Sequence, residues 1–180
     1  MNIAQTELID SSLFLGMHSV DEETRIVCKN YFVERLETTI SMSLEHVGGC
    51  DNIIWLYPRE LQDAYYPFMD TLHTIMNIDR LPYQENDINR ALTDSELQAL
   101  PMYDKLLIGF AKNRKKTVYT VNKKLLNNDK LPVCNPTTSE EKSFPDSLEK
   151  LYQISLLLRI PDIQLTSDYY NNCDQYKTHI

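Results

Sequence analysis

Three acidic residues stand where a fold could gather them. Asp10 ends the short apolar run Leu8-Ile9, Glu45 follows the β-prone stretch Thr39 to Ser43, and Asp104 falls in the opening turn of a helix that begins near Pro101. Carboxylates crowded at one place repel one another unless a hard divalent cation neutralises them, and Mg²⁺ and Mn²⁺ accept oxygen ligands in octahedral geometry. Singly, each acid has a plainer use: Asp10 as a helix cap, Glu45 and Asp104 as first-turn partners of a helix dipole. Other chemistries lack their residues, for there is no Walker phosphate loop, GxGxxG, HExxH or GxSxG. The histidines (His18, His46, His73, His179) are scattered. His73 follows Asp70 at helical spacing, but the two-metal bundle sites that use a related spacing need it twice, so a surface contact is the better reading. Cys28, Cys50, Cys134 and Cys173 form no CxxC pair, which points to free thiols in a reducing cytoplasm.

A net charge of −8 argues against nucleic acid, because phosphate binding rests on Lys and Arg. The distribution qualifies this. Between Lys105 and Lys130 stand eight basic residues and one acid, Asp129, so a stripe of +7 interrupts an otherwise acidic chain. Lys115, Lys116, Lys123 and Lys124 are its candidates for holding an RNA backbone. An acidic partner protein, or a solvated helix end and its loop, explains the same stripe.

These residues must be positioned by an ordinary globular core, for which 180 residues with 42% hydrophobic content suffice. No apolar run approaches the roughly 18 residues of a membrane span, and the N-terminus has no secretory pattern, so neither membrane insertion nor secretion is expected. Apolar spacing predicts helices from Val20 to Glu37, with Ser19 and Glu22 as a capping box, and from Pro58 to Met76, kinked or split at Pro67. Further helices start near Pro101 and near Leu148. Strand candidates are Glu7 to Asp10, Thr39 to Ser43, Ile78 to Tyr83 and Thr117 to Val121. Residues 131–146 read as a loop, and the last dozen, with Tyr169-Tyr170-Asn171-Asn172, as irregular. Strands alternating with helices predict an α/β protein, a parallel sheet flanked by helices.

The succession resembles the PIN domain, a metal-dependent nuclease fold, over about residues 6–127. A strand ending in Asp before an apolar helix is matched by Ile9-Asp10-Ser11-Ser12-Leu13-Phe14-Leu15. A strand, a small residue and a helical Glu are matched by Ile40-Ser41-Met42-Ser43-Leu44-Glu45. An Asp opening an apolar helix is matched by Tyr103-Asp104-Lys105-Leu106-Leu107. The fourth motif, a strand ending in Thr-x-Asp-Lys, reads Thr120-Val121-Asn122-Lys123. Leu13 to Glu22 and Leu61 to His73 are similar to an uncharacterised bacterial PIN-like family.

The resemblance implies a single domain over 1–180, with a helical insertion at about 55–98 and a C-terminal helical extension at about 131–180. It also implies a Mg²⁺- or Mn²⁺-dependent ribonuclease in which Asp10, Glu45 and Asp104 hold the metal and Asn122 orients water. Asn122 departs from the family's Asp and removes a negative charge, and Gly48-Gly49 loosens the helix that carries Glu45. The alternatives are a degenerate PIN-like module that binds a partner through Tyr65-Tyr66-Pro67-Phe68-Met69, and a metal-site protein of a specialised biosynthetic pathway. Partners left open are RNA, an antitoxin-like or pathway protein, and a second copy in a homodimer.

Overall fold

Leu8 and Ile9 are neighbours in β1 (Glu7–Ile9) and both have no solvent exposure, which requires a covering layer on each face of the sheet. The computed structural model describes residues 7–137 and 139–166 and supplies both layers; Tyr169 to Asn172, Cys173 and His179 lie outside the described residues. From β1 the chain runs through α1 (Ser11–Gly16) and α2 (Glu22–Val33) to β2 (Thr39–Ser43). Two helices, α3 (Leu44–Ile54) and α4 (Arg59–Ile75), lead to β3 (Asn77–Leu81). Two more, α5 (Glu85–Thr93) and α6 (Met102–Asn113), lead to β4 (Val118–Tyr119). Then follow α7 (Lys123–Leu126), β5 (Val133–Cys134) and α8 (Asp146–Ser155). The five strands are all parallel, in the order β3-β2-β1-β4-β5. The protein is thus α/β, a parallel sheet flanked by helices.

Ile9 packs on one face with Phe14, Phe32, Phe68 and Leu148, from α1, α2, α4 and α8. Leu8 packs on the other with Leu107, Ile108, Val118 and Leu125, chiefly from α6. The stretch 55–98, read in the sequence as a helical insertion, carries β3 and is therefore part of the sheet. β5 lies inside the segment read as a loop.

Local chemistry decides where the helices start. The cap of α2 is Asp21, whose carboxylate accepts the Thr24 N–H at 2.9 Å, so the expected capping box is not the one used. Ser19 instead accepts the Asp21 N–H at 3.0 Å and donates to Asp162 at 3.2 Å. Pro67 does not split α4, which runs unbroken from Arg59 to Ile75. The proline is exposed, where water can serve the carbonyl it leaves unpaired, while Tyr65, Phe68, Met69 and Leu72 bury the other side. Those aromatics are core, and of the segment expected to anchor a partner only Tyr66 and Pro67 reach solvent.

Gly48 and Gly49 likewise leave α3 continuous. A β-carbon on Gly48 would meet nothing within 4 Å, whereas one on Gly109 in α6 would lie 2.6–2.7 Å from the Ala91 β-carbon and backbone in α5. Urea unfolding should therefore show Gly48→Ala stabilising the protein by about 0.5–1 kcal/mol. Gly109→Ala should destabilise it by about 1–3 kcal/mol, because α5 and α6 must separate.

Candidate functional site at the carboxyl edge of the sheet

The chain leaves β1 toward β2 on one side and returns as β4 on the other, so the carboxyl ends of β1 and β4 form the topological switch point where open α/β sheets bind ligands. Asp10 follows β1 there, and Asn122 follows β4. Glu45 lies in the first turn of α3 after β2, and Asp104 in the first turn of α6. A parallel sheet with short connections thus delivers all four of the expected residues to one edge.

Asp10 is 2% exposed. Its Oδ1 accepts the Ser12 hydroxyl at 2.6 Å and the Leu13 N–H at 3.2 Å, the latter as the N-cap of α1. Its Oδ2 accepts the Thr120 hydroxyl at 2.6 Å. Burial pushes the Asp10 carboxyl up to about 6, against the pull of these donors. Asn122 is also buried and is the N-cap of α7, its Oδ1 accepting the Lys124 N–H at 3.1 Å. Asp104 is 3% exposed, while Glu45 is exposed with its carboxyl raised by partial burial against a Tyr83 hydrogen bond.

Two of the four candidate ligands, Asp10 and Asn122, already accept hydrogen bonds from protein donors. A carboxylate offers about four lone-pair positions, and three of those on Asp10 are taken by protein donors. The Asn122 oxygen gives one of its two lone pairs to its own helix. Among the described residues, no group of three or more His, Cys, Asp or Glu is placed to hold a metal ion. The acids share an edge but do not form a cage.

Beside them is a group the sequence reading passed over. The Ser11 N–H donates to His46 Nδ1 at 3.1 Å, and the Ser11 hydroxyl lies 3.2 Å from both that nitrogen and the Tyr103 hydroxyl. The rings of His46 and Tyr103 lie 4.1 Å apart. Because Nδ1 accepts a backbone N–H, the proton of the neutral ring is on Nε2, a buried donor with no partner among the described residues. A serine against a histidine has the form of a nucleophile and its base. Burial pushes His46 down to about 3, however, too weak a base for chemistry near neutral pH. Only the Ser11-Ser12 pair after Asp10 and the adjacency of His46 to Glu45 hinted at this cluster.

The lysines are divided. Lys115 and Lys116 precede β4, and Lys116 donates to Ser41 at 3.1 Å, whereas Lys123 and Lys124 open α7 beyond the strand's other end. One pair belongs to the amino edge of the sheet and the other to the carboxyl edge, so the stripe does not frame the acidic crevice as one patch. No helix among the described residues is long and apolar enough to cross a membrane.

Residues 1–165 match the model of a family described as a family of unknown function (DUF6190). No curated protein sequence matches the chain.

Thr120→Val removes a donor from Asp10 and leaves the Asn122 N–H, which binds the Thr120 oxygen at 2.9 Å, without an acceptor. It should cost about 3 kcal/mol at pH 8, where Asp10 is ionised, and about 1 kcal/mol less at pH 5, as urea unfolding at the two values will show. Acid acts oppositely through the buried histidines. His18 and His46 are both held down to about 3 by burial, against about 6.5 when unfolded, so the unfolded chain binds more protons as pH falls below about 6.5. Asp10, raised in the native state, offsets only one of the two. The urea midpoint should therefore fall between pH 7 and pH 5.

Proposed function

We propose that this chain, which belongs to the DUF6190 family of unknown function, is a PIN-like domain that retains the crevice without the nuclease reaction and acts as a partner-binding module. Support for the PIN-like reading is the placement of Asp10, Glu45, Asp104 and Asn122 around the switch point of a parallel sheet. The observation that carries the loss of reaction is the Asp10 carboxylate. Three protein donors within 3.2 Å turn it into a structural tie between β1 and β4. Of the four lysines only Lys123 and Lys124 belong to the crevice's edge, which argues in the same direction, since an acidic crevice needs a larger basic patch to hold RNA. A protein partner is favoured over RNA on that ground. The free thiols of Cys28, Cys50 and Cys134 support a reducing, cytoplasmic setting.

The second reading is the Mg²⁺- or Mn²⁺-dependent ribonuclease. In its favour, three acids do reach one edge of the sheet. Asn122→Asp separates the two readings by restoring the missing charge. On the binding-module reading, neither the unmodified protein nor Asn122→Asp takes up Mn²⁺ in calorimetry or cleaves single-stranded RNA in its presence. The unmodified protein also shows no RNA affinity by fluorescence anisotropy at low salt. Mn²⁺-dependent cleavage by the unmodified protein that disappears in Asp104→Asn would establish the ribonuclease and end the binding-module reading.

A further inference from the structure

Next to the carboxyl edge, on the face of the sheet that α3 and α4 cover, those helices meet β2 and β3 around a cavity of about 260 Å³, whose lining Cys50 lies 3.9 Å from the Ser11 carbonyl. That is somewhat below the range of sites for drug-sized ligands, a size that suits a small molecule. The apolar part of the lining comes from Phe14, Met42, Val47, Tyr65, Met69 and Ile78. Methionine beside aromatic rings adapts to a bulky apolar group and gains from sulfur–aromatic contact. Charged groups line the same cavity: Asp51 and Asp70 with carboxylates, Arg80 with a guanidinium.

Several features make this more than a gap in packing. His73 is half-buried with its ring edge-on to Phe14 at 5.4 Å between centroids, and Asp51, Asp70 and Arg80 all lie close enough to act on it electrostatically. The Tyr66 hydroxyl donates to Asp51 Oδ1 at 3.3 Å and so restrains one carboxylate. Neither Asp70 nor Arg80 is in an ion pair among the described residues, although arginines elsewhere in the chain, such as Arg25 and Arg114, are paired with acids. Opposite charges thus line one small cavity with an apolar interior, which is the complement of a molecule carrying both an ammonium and a carboxylate on an apolar body.

We infer that this cavity is a binding site for a zwitterionic α-amino acid with an apolar side chain. The ammonium faces Asp51 and Asp70, the carboxylate takes the Arg80 guanidinium, and the side chain enters between Phe14 and the two methionines. Arginine suits the carboxylate because its planar fork can donate two parallel hydrogen bonds. The inference is independent of whether the carboxyl edge is catalytic.

Calorimetry with the unmodified chain and L-leucine, L-phenylalanine, phenethylamine, 3-phenylpropionate and glycine tests it. Leucine or phenylalanine should bind, and phenethylamine (no carboxylate), 3-phenylpropionate (no ammonium) and glycine (no apolar body) should each bind at least about tenfold more weakly, or about 1.4 kcal/mol. Arg80→Gln, an exposed change that leaves the core untouched, should weaken the amino acid about tenfold and leave phenethylamine unchanged. Asp70→Asn should weaken both. Phenethylamine binding as tightly as phenylalanine, with Arg80→Gln without effect, would make this a site for cationic amines and overturn the inference. So would no heat from any of the five at roughly 10 mM, a concentration that would reveal even millimolar affinity.

Discussion

A carboxylate that has left water must be neutralised or surrounded by donors, and the centre of this sheet is organised by that demand. Asp10 sits where β1 ends, its oxygens held by hydroxyls from Ser12 and from Thr120 beyond β4. The two hydroxyls are 3.1 Å apart, Ser12 also accepts the Val121 N–H at 3.1 Å, and Thr120 accepts the Asn122 N–H at 2.9 Å. β1 and β4 share only two aligned residue pairs in their ladder. The side-chain network past the ends of the strands therefore extends the pairing that the short backbone ladder begins. It also starts two helices, since Asp10 and Asn122 are both N-caps.

A second buried charge holds the far end of the chain. Lys29 of α2 is 1% exposed, and its ammonium reaches Glu141 at 2.8 Å and Glu149 at 2.9 Å, 4.7 Å from the centre of the Tyr152 ring. Arg25, one turn earlier, pairs with Glu141 and with the Tyr152 hydroxyl at 2.9 Å each. These contacts hold Glu141 down to about 2. The segment before α8 and the helix itself are thereby fixed to α2 through charge as well as apolar packing. Deeper in, the Ser155 hydroxyl donates to the Tyr152 carbonyl and lies 2.8 Å from His18 Nε2, which sets the tautomer of a second buried imidazole.

The elements were legible in the sequence wherever one physical signal ran long enough. Thr39 to Ser43 is a strand with those bounds, and the helix near Pro101 runs from Met102 to Asn113. β5 escaped because two residues between prolines and polar groups carry no period to detect. Of the kink or split expected at Pro67, the split did not occur, since local propensity cannot reveal that the opposite side of α4 is anchored in the core. The edge to which Asp10, Glu45, Asp104 and Asn122 belong was readable from their positions at element ends. Their hydrogen bonds were not, because Thr120 lies 110 residues from its partner Asp10. Ser11, His46 and Tyr103 come together from three separate segments, and no local pattern announces such a meeting.

The two margins of the sheet differ from its middle in a way that bears on solubility. β5 offers two residues of ladder, too few to template an added strand, and β3, though five residues long, displays Asp79 and Arg80 to solvent. Central strands of parallel sheets are almost wholly apolar and adhesive if exposed. Here the strands that carry the buried Leu8, Ile9, Ile40 and Met42 are interior, and the boundary is either truncated or charged. Edge-to-edge addition of strands from another chain is thereby opposed by the order in which the strands are arranged, before any chaperone or partner takes part.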